Sequence, residues 1–304
     1  MGINTVINQI ISLFLVALVG FYGGKKNIIN ENFSNGLSKL IVDITTPFLV
    51  IGSFSLSYDA SISKNIIKAF IYSFLIFILT PLLVKPLLLK IEKGKRNVLQ
   101  FAMVFSNCGF MGFPIAQSVF GNEGVIYAAI FNMAFTIFVW TYGVMLFKNS
   151  TSFKDVLKSL KNPGITSALI GLIIMIFSIK IHPILLSTMK MIGGLTTPVS
   201  MLIVGSLLSR SNLVKIIKDK SMYYGSFIKL IIVPFALYIV SLLFKENSIV
   251  LKTFILMQAM PAAAFTTIFA ENFNKNKEYS AFIVSFSSLL SIITIPIIIR
   301  FCLK

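Results

Sequence analysis

Two short stretches combine side chains able to bind a solute with residues that cannot continue a helix. Phe105 to Pro114 reads FSNCGFMGFP and sets Asn107 beside Gly109, Gly112 and Pro114; Gln258 to Thr267 reads QAMPAAAFTT and sets Gln258 one turn before Pro261, with Thr266 and Thr267 following. Both lie in long apolar runs, where lipid supplies no water to replace a backbone hydrogen bond lost at glycine or proline. The chemistry on offer is binding. A helix unwound at mid-membrane leaves N–H groups without intrahelical partners and turns positive half-helix ends toward the gap, an anion site that needs no lysine or arginine. An asparagine, donor and acceptor at once, holds a carboxylate there without the desolvation cost of a fixed charge. The plainer role for Asn107 is to cap the backbone freed around Gly109, and the residue types leave both roles open.

Two charges stand inside apolar runs at similar depth, Asp43 and Lys229. Charged residues inside a bundle tend to pair, so a structural or gating Asp43–Lys229 ion pair near the inner mouth is one expectation. The others are that each snorkels to the interface, or that Asp43 with Thr45 and Thr46 helps bind a coupling proton or cation. Thr46-Pro47 and Thr197-Pro198 read as kinks whose threonines re-satisfy freed carbonyls, touching substrate only if the kink faces the broken segments. His182 reads as a surface residue in a loop. Two cysteines, Cys108 and Cys302, give no disulfide framework or metal cluster. GxxxxGK[ST], HExxH and CxxC are absent, so no cofactor is expected and any driving energy comes from a potential or a gradient.

The elements that must hold these residues are membrane helices. Of 304 residues 56% are hydrophobic and 12% charged, with a mean hydropathy of +0.90, far beyond a water-soluble domain of this length. The apolar runs are continuous, which excludes a β-barrel. Ten spans are expected, at 5–24, 37–57, 65–86, 97–119, 124–147, 163–181, 190–209, 222–244, 250–271 and 279–300. The first has its lysines, Lys25 and Lys26, after the apolar run rather than before it, the reverse of a signal peptide. Most lysines and arginines fall in the loops after odd-numbered spans, which puts those loops in the cytoplasm and both termini outside. The net charge of +17 is explained by this topology and not by nucleic acid.

Thr45-Thr46-Pro47 in span 2 recurs as Thr196-Thr197-Pro198 in span 7, and Tyr127 heading span 5 as Tyr279 heading span 10. Each match falls on the corresponding member of two five-span halves, 1–147 and 163–304, joined by a basic amphipathic linker at 148–162. Five is odd, so the second half runs in the opposite sense, the inverted repeat typical of secondary transporters. Breakers then fall in the fourth span of each half, a pointer to a binding site at mid-membrane.

The pieces SNCGFMGFPIAQSVFG (106–121) followed by Tyr127, LKNPGITSALIGL (160–172), HPILLSTMKMIGGLTTPVSMLIVGSLL (182–208) and MPAAAFTTIFAENFNKNKEYSAFIVSFSSLLSIITIP (260–296), with the Pro47 span, resemble the auxin efflux carrier family. That family includes the plant PIN-type transporters and bacterial permeases assigned to malate or malonate. The resemblance implies an all-α polytopic fold of ten helices in two inverted repeats, with broken helices 4 and 9 crossing to form the substrate site. It implies that polar residues there, often asparagine, hold a carboxylate; Asn107 matches. After Pro261 the sequence departs, with Ala262, Ala263, Ala264, Thr266 and Thr267 where many relatives place an asparagine. The short linker favours the bacterial permease type, and relatives suggest a homodimer.

The expected function is therefore a secondary transporter in the cell membrane, moving a small organic anion such as malate or an auxin-like acid by alternating access, with Phe110, Met111, Phe113 and Phe265 walling the cavity. The nearest alternative is a sodium-coupled symporter of the bile-acid-carrier type. From another class, a non-transporting receptor or scaffold would not require two matching broken helices. An enzyme would need a converging nucleophile and base or paired acids, which the sequence lacks.

Overall fold

A computed structural model describes residues 3–54, 60–147, 163–210, 219–273 and 275–302. The expected linker helix at 148–162 lies outside the described residues. The described chain is helical, in eleven segments: α1 (Ile3–Lys25), α2 (Glu31–Ser53), α3 (Ala60–Leu87), α4 (Lys93–Val104), α5 (Cys108–Phe147), α6 (Pro163–Ile176), α7 (Pro183–Ser209), α8 (Lys220–Leu243), α9 (Ile249–Ala259), α10 (Phe265–Asn272) and α11 (Lys277–Cys302). Six of these helices are long and apolar enough to cross a membrane, and shorter apolar helices lie at Ile11–Lys25, Pro163–Ile176 and Ile249–Ala259. The protein is a multi-pass membrane protein.

Helix boundaries follow local chemistry. Asn30 caps α2, its side chain accepting from Phe33 N at 2.9 Å, so this helix starts upstream of the expected 37–57. Ser248 caps α9 in the same way, accepting from Leu251 N. α5 joins the expected spans 4 and 5 into one segment that bends sharply at Gly121, whose φ of 63° and ψ of −149° suit only glycine. Within the helices, wide π-turns at Ile41–Thr45, Cys108–Gly112 and Ile228–Ile232 each end two residues before a proline, Pro47, Pro114 or Pro234. Proline removes one N–H and crowds the carbonyl four residues back; the extra residue in the turn takes up that misfit without ending the helix. At Pro198 the misfit interrupts α7 at Leu195 instead.

The helices pack as two groups. In the first, α1 lies along the second half of α7, and α2 packs on the first half of α7 and on α6. The second contains α3, α4, α5, α8, α9, α10 and α11. Its centre is aromatic: the Phe77 ring meets Phe105, Phe131, Phe135 and Phe138, and Phe101 meets Phe105, Phe147 and Phe269. Polar ties hold this group at its ends. Lys95 of α4 bonds Asp219, the N-cap of α8, at 2.8 Å, and Lys68 of α3 bonds Glu246 in the α8–α9 loop at 3.0 Å. Burial pushes the Asp219 carboxyl up, but hydrogen bonds from Lys95 and Ser221 outweigh it and hold the group below the usual carboxylate value. The Lys68 hydrogen bond does the same for Glu246 against partial desolvation.

The α1–α7 contact depends on missing side chains. A Cβ at Gly205 would fall 1.8 Å from Ala17 O, and one at Gly20 would fall 2.2 Å from Leu202 O, so the two backbones touch directly, as small residues allow between membrane helices. Gly205→Ala is expected to lower stability by about 1–3 kcal/mol through overpacking, read as a fall in thermal unfolding temperature. Gly36→Ala, where a Cβ meets nothing within 4 Å, is the matched substitution that should not lower it.

Candidate functional site: a crossover of two broken helices

The chain is extended at Phe105 (φ −101°, ψ 109°) between α4 and α5, and at Met260 (φ −63°, ψ 150°) between α9 and α10. Met260 precedes Pro261, which disfavours a helical conformation there. The two gaps meet as a short antiparallel bridge, Ser106 opposite Ala262. Asn107 N donates to Pro261 O at 2.7 Å and Ala263 N to Phe105 O at 2.9 Å. Ala262 N donates to Ser287 Oγ of α11 at 3.1 Å. The run Ala262–Ala264 carries no bulk, so the segments can approach closely.

The break lies upstream of the glycines that announced it. Gly109 and Gly112 are inside the first, π-type turn of α5, and Pro114 sits in the following turn, where the widened turn before it takes up its misfit. Asn107 caps that turn: its Oδ1 accepts from Phe110 N at 3.3 Å.

A cavity of about 90 Å³ lies where the two helix groups meet. The crossover contributes Ser106, Asn107, Gly109, Phe110, Phe113, Ala263, Ala264 and Phe265; the far arm of α5 adds Asn132, Phe135 and Thr136; the opposite group presents Ile41, Val42 and Thr46 of α2 and Gly164 of α6. The N-terminal ends of α5 and α10 therefore both border it, with the partial positive charge of helix N-termini. Among the described residues no carboxylate lines it. Asn107 Oδ1 is engaged by Phe110 N, and Asn132 Oδ1 accepts from the Cys108 thiol at 3.3 Å. The oxygens being used, each asparagine has its Nδ2 hydrogens left over, and among the described residues neither Nδ2 donates to a protein acceptor. Thr136 Oγ1 spends its proton on Asn132 O at 2.8 Å.

Of the residues singled out in the sequence, Asn107, Gly109 and Thr46 line this cavity, as do Phe110, Phe113 and Phe265. Met111 turns away to pack with Leu13, Ala17 and Met201. Pro114, Pro261, Thr266 and Thr267 do not line it; Pro261 acts through its carbonyl, and the Thr266 hydroxyl is buried without a partner. Gln258 is fully buried on the other side of the crossover, with Oε1 accepting from Ser106 Oγ at 2.9 Å and from Lys229 Nζ at 3.1 Å. The Asp43–Lys229 pair does not form: Asp43 lies on the exposed side of α2, whereas Lys229 is 1% exposed and bonded to Ser106 and Gln258. Thr197 Oγ1 donates to Gln117 Oε1 at 3.3 Å, away from the cavity. Asn132, Ser106 and Thr136 were not anticipated. The signal for Asn132 was its mere presence in an apolar span, where a polar side chain needs a reason.

Ser287→Ala removes the acceptor that the buried Ala262 N–H has among the described residues. Leaving that donor unpaired is expected to lower stability by about 1–3 kcal/mol, measured by thermal unfolding in detergent.

The chain resembles known proteins over nearly its whole length. The sequence profile of a family described as membrane transport protein matches residues 5–155 and 149–299. An uncharacterized transporter of Methanocaldococcus jannaschii is 22% identical over 272 residues, covering 85% of this chain and 86% of its own. One of Methanothermobacter thermautotrophicus is 20% identical, covering 95% of each chain, and the uncharacterized transporter YfdV of Escherichia coli is 21% identical, covering 96% of each. With two matches that together span most of its length, the chain belongs to the membrane transport protein family, the group to which the auxin efflux carriers are assigned, and is a transporter and not an enzyme.

Proposed function

We propose that the protein is a secondary carrier of a small organic anion, a short carboxylic acid of the malate type, working by alternating access. One observation carries this reading: among the described residues, two amides, Asn107 and Asn132, have Nδ2 donors left over beside a cavity bordered by two helix N-termini and by no acidic side chain. Amide donors backed by positive helix ends, with no carboxylate among the described lining residues, suit an anion better than a cation.

Its position supports alternating access. The crossover forms one wall and α2 with α6 the other, so relative motion of the two groups would open or close the cavity to either side. Counting α4 with the near arm of α5 as one pass, the far arm as the next, and α9 with α10 as another gives ten passes, in keeping with two inverted halves, 1–147 and 163–304. The lysine-rich loops favour a cell-membrane orientation with both termini outside.

Reconstitution into liposomes with a panel of labelled mono- and dicarboxylates, auxin-like acids and their neutral amides tests this. Uptake of an acid but not of its amide is expected. Asn107→Ala and Asn132→Ala should each reduce binding by about tenfold or more, the worth of one hydrogen bond to a charged group, while the protein stays folded; losing the cap to Phe110 N should also lower the stability of Asn107→Ala by about 0.5–2 kcal/mol. Unchanged affinity in Asn107→Ala would leave that residue only its cap to Phe110. Transport of cations or neutral solutes alone would overturn the anion reading, and ligand binding without flux in the wild type would favour a receptor.

A further inference from the structure

The crossover has a second face, on which α4 ends at Val104 and α9 ends at Ala259. The last carbonyls of a helix lack intrahelical partners, and each such end carries roughly half a negative elementary charge. Against these two ends α8 inserts Lys229, which ranks among the largest fully buried side chains. Its Nζ donates to Ser106 Oγ and to Gln258 Oε1, so one oxygen comes from each broken segment. Ser106 Oγ donates on to Gln258 Oε1 at 2.9 Å, closing the three groups into a ring.

Neither acceptor is charged. An ammonium taken out of water with only neutral partners is costly, and its support here is the pair of negative helix ends, which together roughly match one positive charge. The π-turn Ile228–Ile232 places Lys229 in the widened part of α8, directed at the crossover. Carriers built on discontinuous helices use the same ingredients, C-terminal helix ends and unwound backbone, to hold a coupling sodium ion.

We propose that Lys229 is a tethered cation: its amino group fills the position between the α4 and α9 ends that a sodium ion would otherwise take, so the protein has no sodium requirement. The site stands on the geometry alone; only its consequence for coupling rests on the anion-carrier reading. A second consequence concerns the cavity. Ser106 both lines the cavity and contacts Lys229, so one residue separates the ammonium from the bound solute, and its charge offsets that of an anion from behind.

Removing the lysine should therefore create a sodium site. Lys229→Ala leaves Ser106 Oγ, Gln258 Oε1 and two negative helix ends facing a vacated, polar space, whereas Lys229→Met fills that space with an apolar chain. Thermal unfolding of the purified full chain in detergent is compared in sodium chloride and choline chloride at equal ionic strength. The wild type should unfold at the same temperature in both salts. Lys229→Ala should be less stable in choline and regain about 2–4 °C in sodium, the shift expected of a ligand bound to the native state; Lys229→Met should be less stable in both without recovery. Stabilisation of the wild type by sodium, or no difference between salts for Lys229→Ala, would overturn the proposal. Lys229→Ser, which supplies one more oxygen, repeats the test should the alanine variant not survive purification, and the wild-type comparison decides if neither does. The readout needs no substrate: a sodium-dependent Lys229→Ala protein in a chain that carries no acid would sink the anion reading and leave the cation site standing.

Discussion

A backbone N–H or C=O inside hydrocarbon must find a partner within the protein, and the crossover exists because two gaps meet that demand for each other. At the α4–α5 gap Phe105 O and Asn107 N have no helical partners; at the α9–α10 gap Pro261 O and Ala263 N have none. Set antiparallel, they satisfy one another at 2.9 and 2.7 Å. Neither gap is tolerable alone, because each unpaired group in an apolar medium costs several kcal/mol. The pairing then dictates the rest: small residues at Ala262–Ala264 for close approach, Ser287 for the odd N–H left between the two bonds, and four helices converging on one point.

Convergence creates polarity without charged side chains among the described residues that line the site. Where two helices begin, at Cys108 and Phe265, the cavity meets positive ends and unused amide donors; where two helices end, at Val104 and Ala259, the protein meets negative ends with the buried Lys229. On the proposed reading the same break yields an anion-attracting face and a cation-holding face, with Ser106 belonging to both. Neutral amides suit the first face because a solute that binds must also leave. A fixed guanidinium or ammonium in the wall would hold a carboxylate more tightly and would itself carry a desolvation cost whenever the cavity emptied.

The all-helical class, the membrane setting and the two places where helices fail were legible in the sequence, since continuous apolar runs and clustered breakers depend on local chemistry alone. What was not legible depends on tertiary partners. Gly109, Gly112 and Pro114 marked the right segment but not the right residues: π-turns absorb the proline misfit here as they do before Pro47 and Pro234, and the real gap at Phe105–Asn107 is set by its partner strand. Gln258 matched Asn107 by sequence position, yet it ends a helix where Asn107 begins one, so the two face opposite sides of the crossover. Similar depth suggested Asp43 for Lys229, but depth says nothing about rotation around a helix, and α2 turns Asp43 outward. Asn132 was hidden because a single asparagine in a long apolar run carries no pattern.

The seam between the two helix groups differs from the interior of either. Within the first group α1 and α7 are locked by backbone contact at Gly20 and Gly205, and Thr196 donates to Thr45 at 2.9 Å between α7 and α2. Within the second, the Lys95–Asp219 and Lys68–Glu246 pairs and the phenylalanine cluster tie α3, α4, α8, α9 and their neighbours together. Across the seam the Thr197–Gln117 bond is long, at 3.3 Å, and the cavity wall facing the crossover is Ile41, Val42, Thr46 and Gly164. Apolar side chains and a lone hydroxyl can slide past a partner with little to break, whereas moving either group internally would cost ion pairs, paired backbone and close glycine contacts. Mechanical weakness therefore coincides with the cavity, and a solute bound at Asn107 and Asn132 would travel with the crossover group while α2 and α6 change which side it can see.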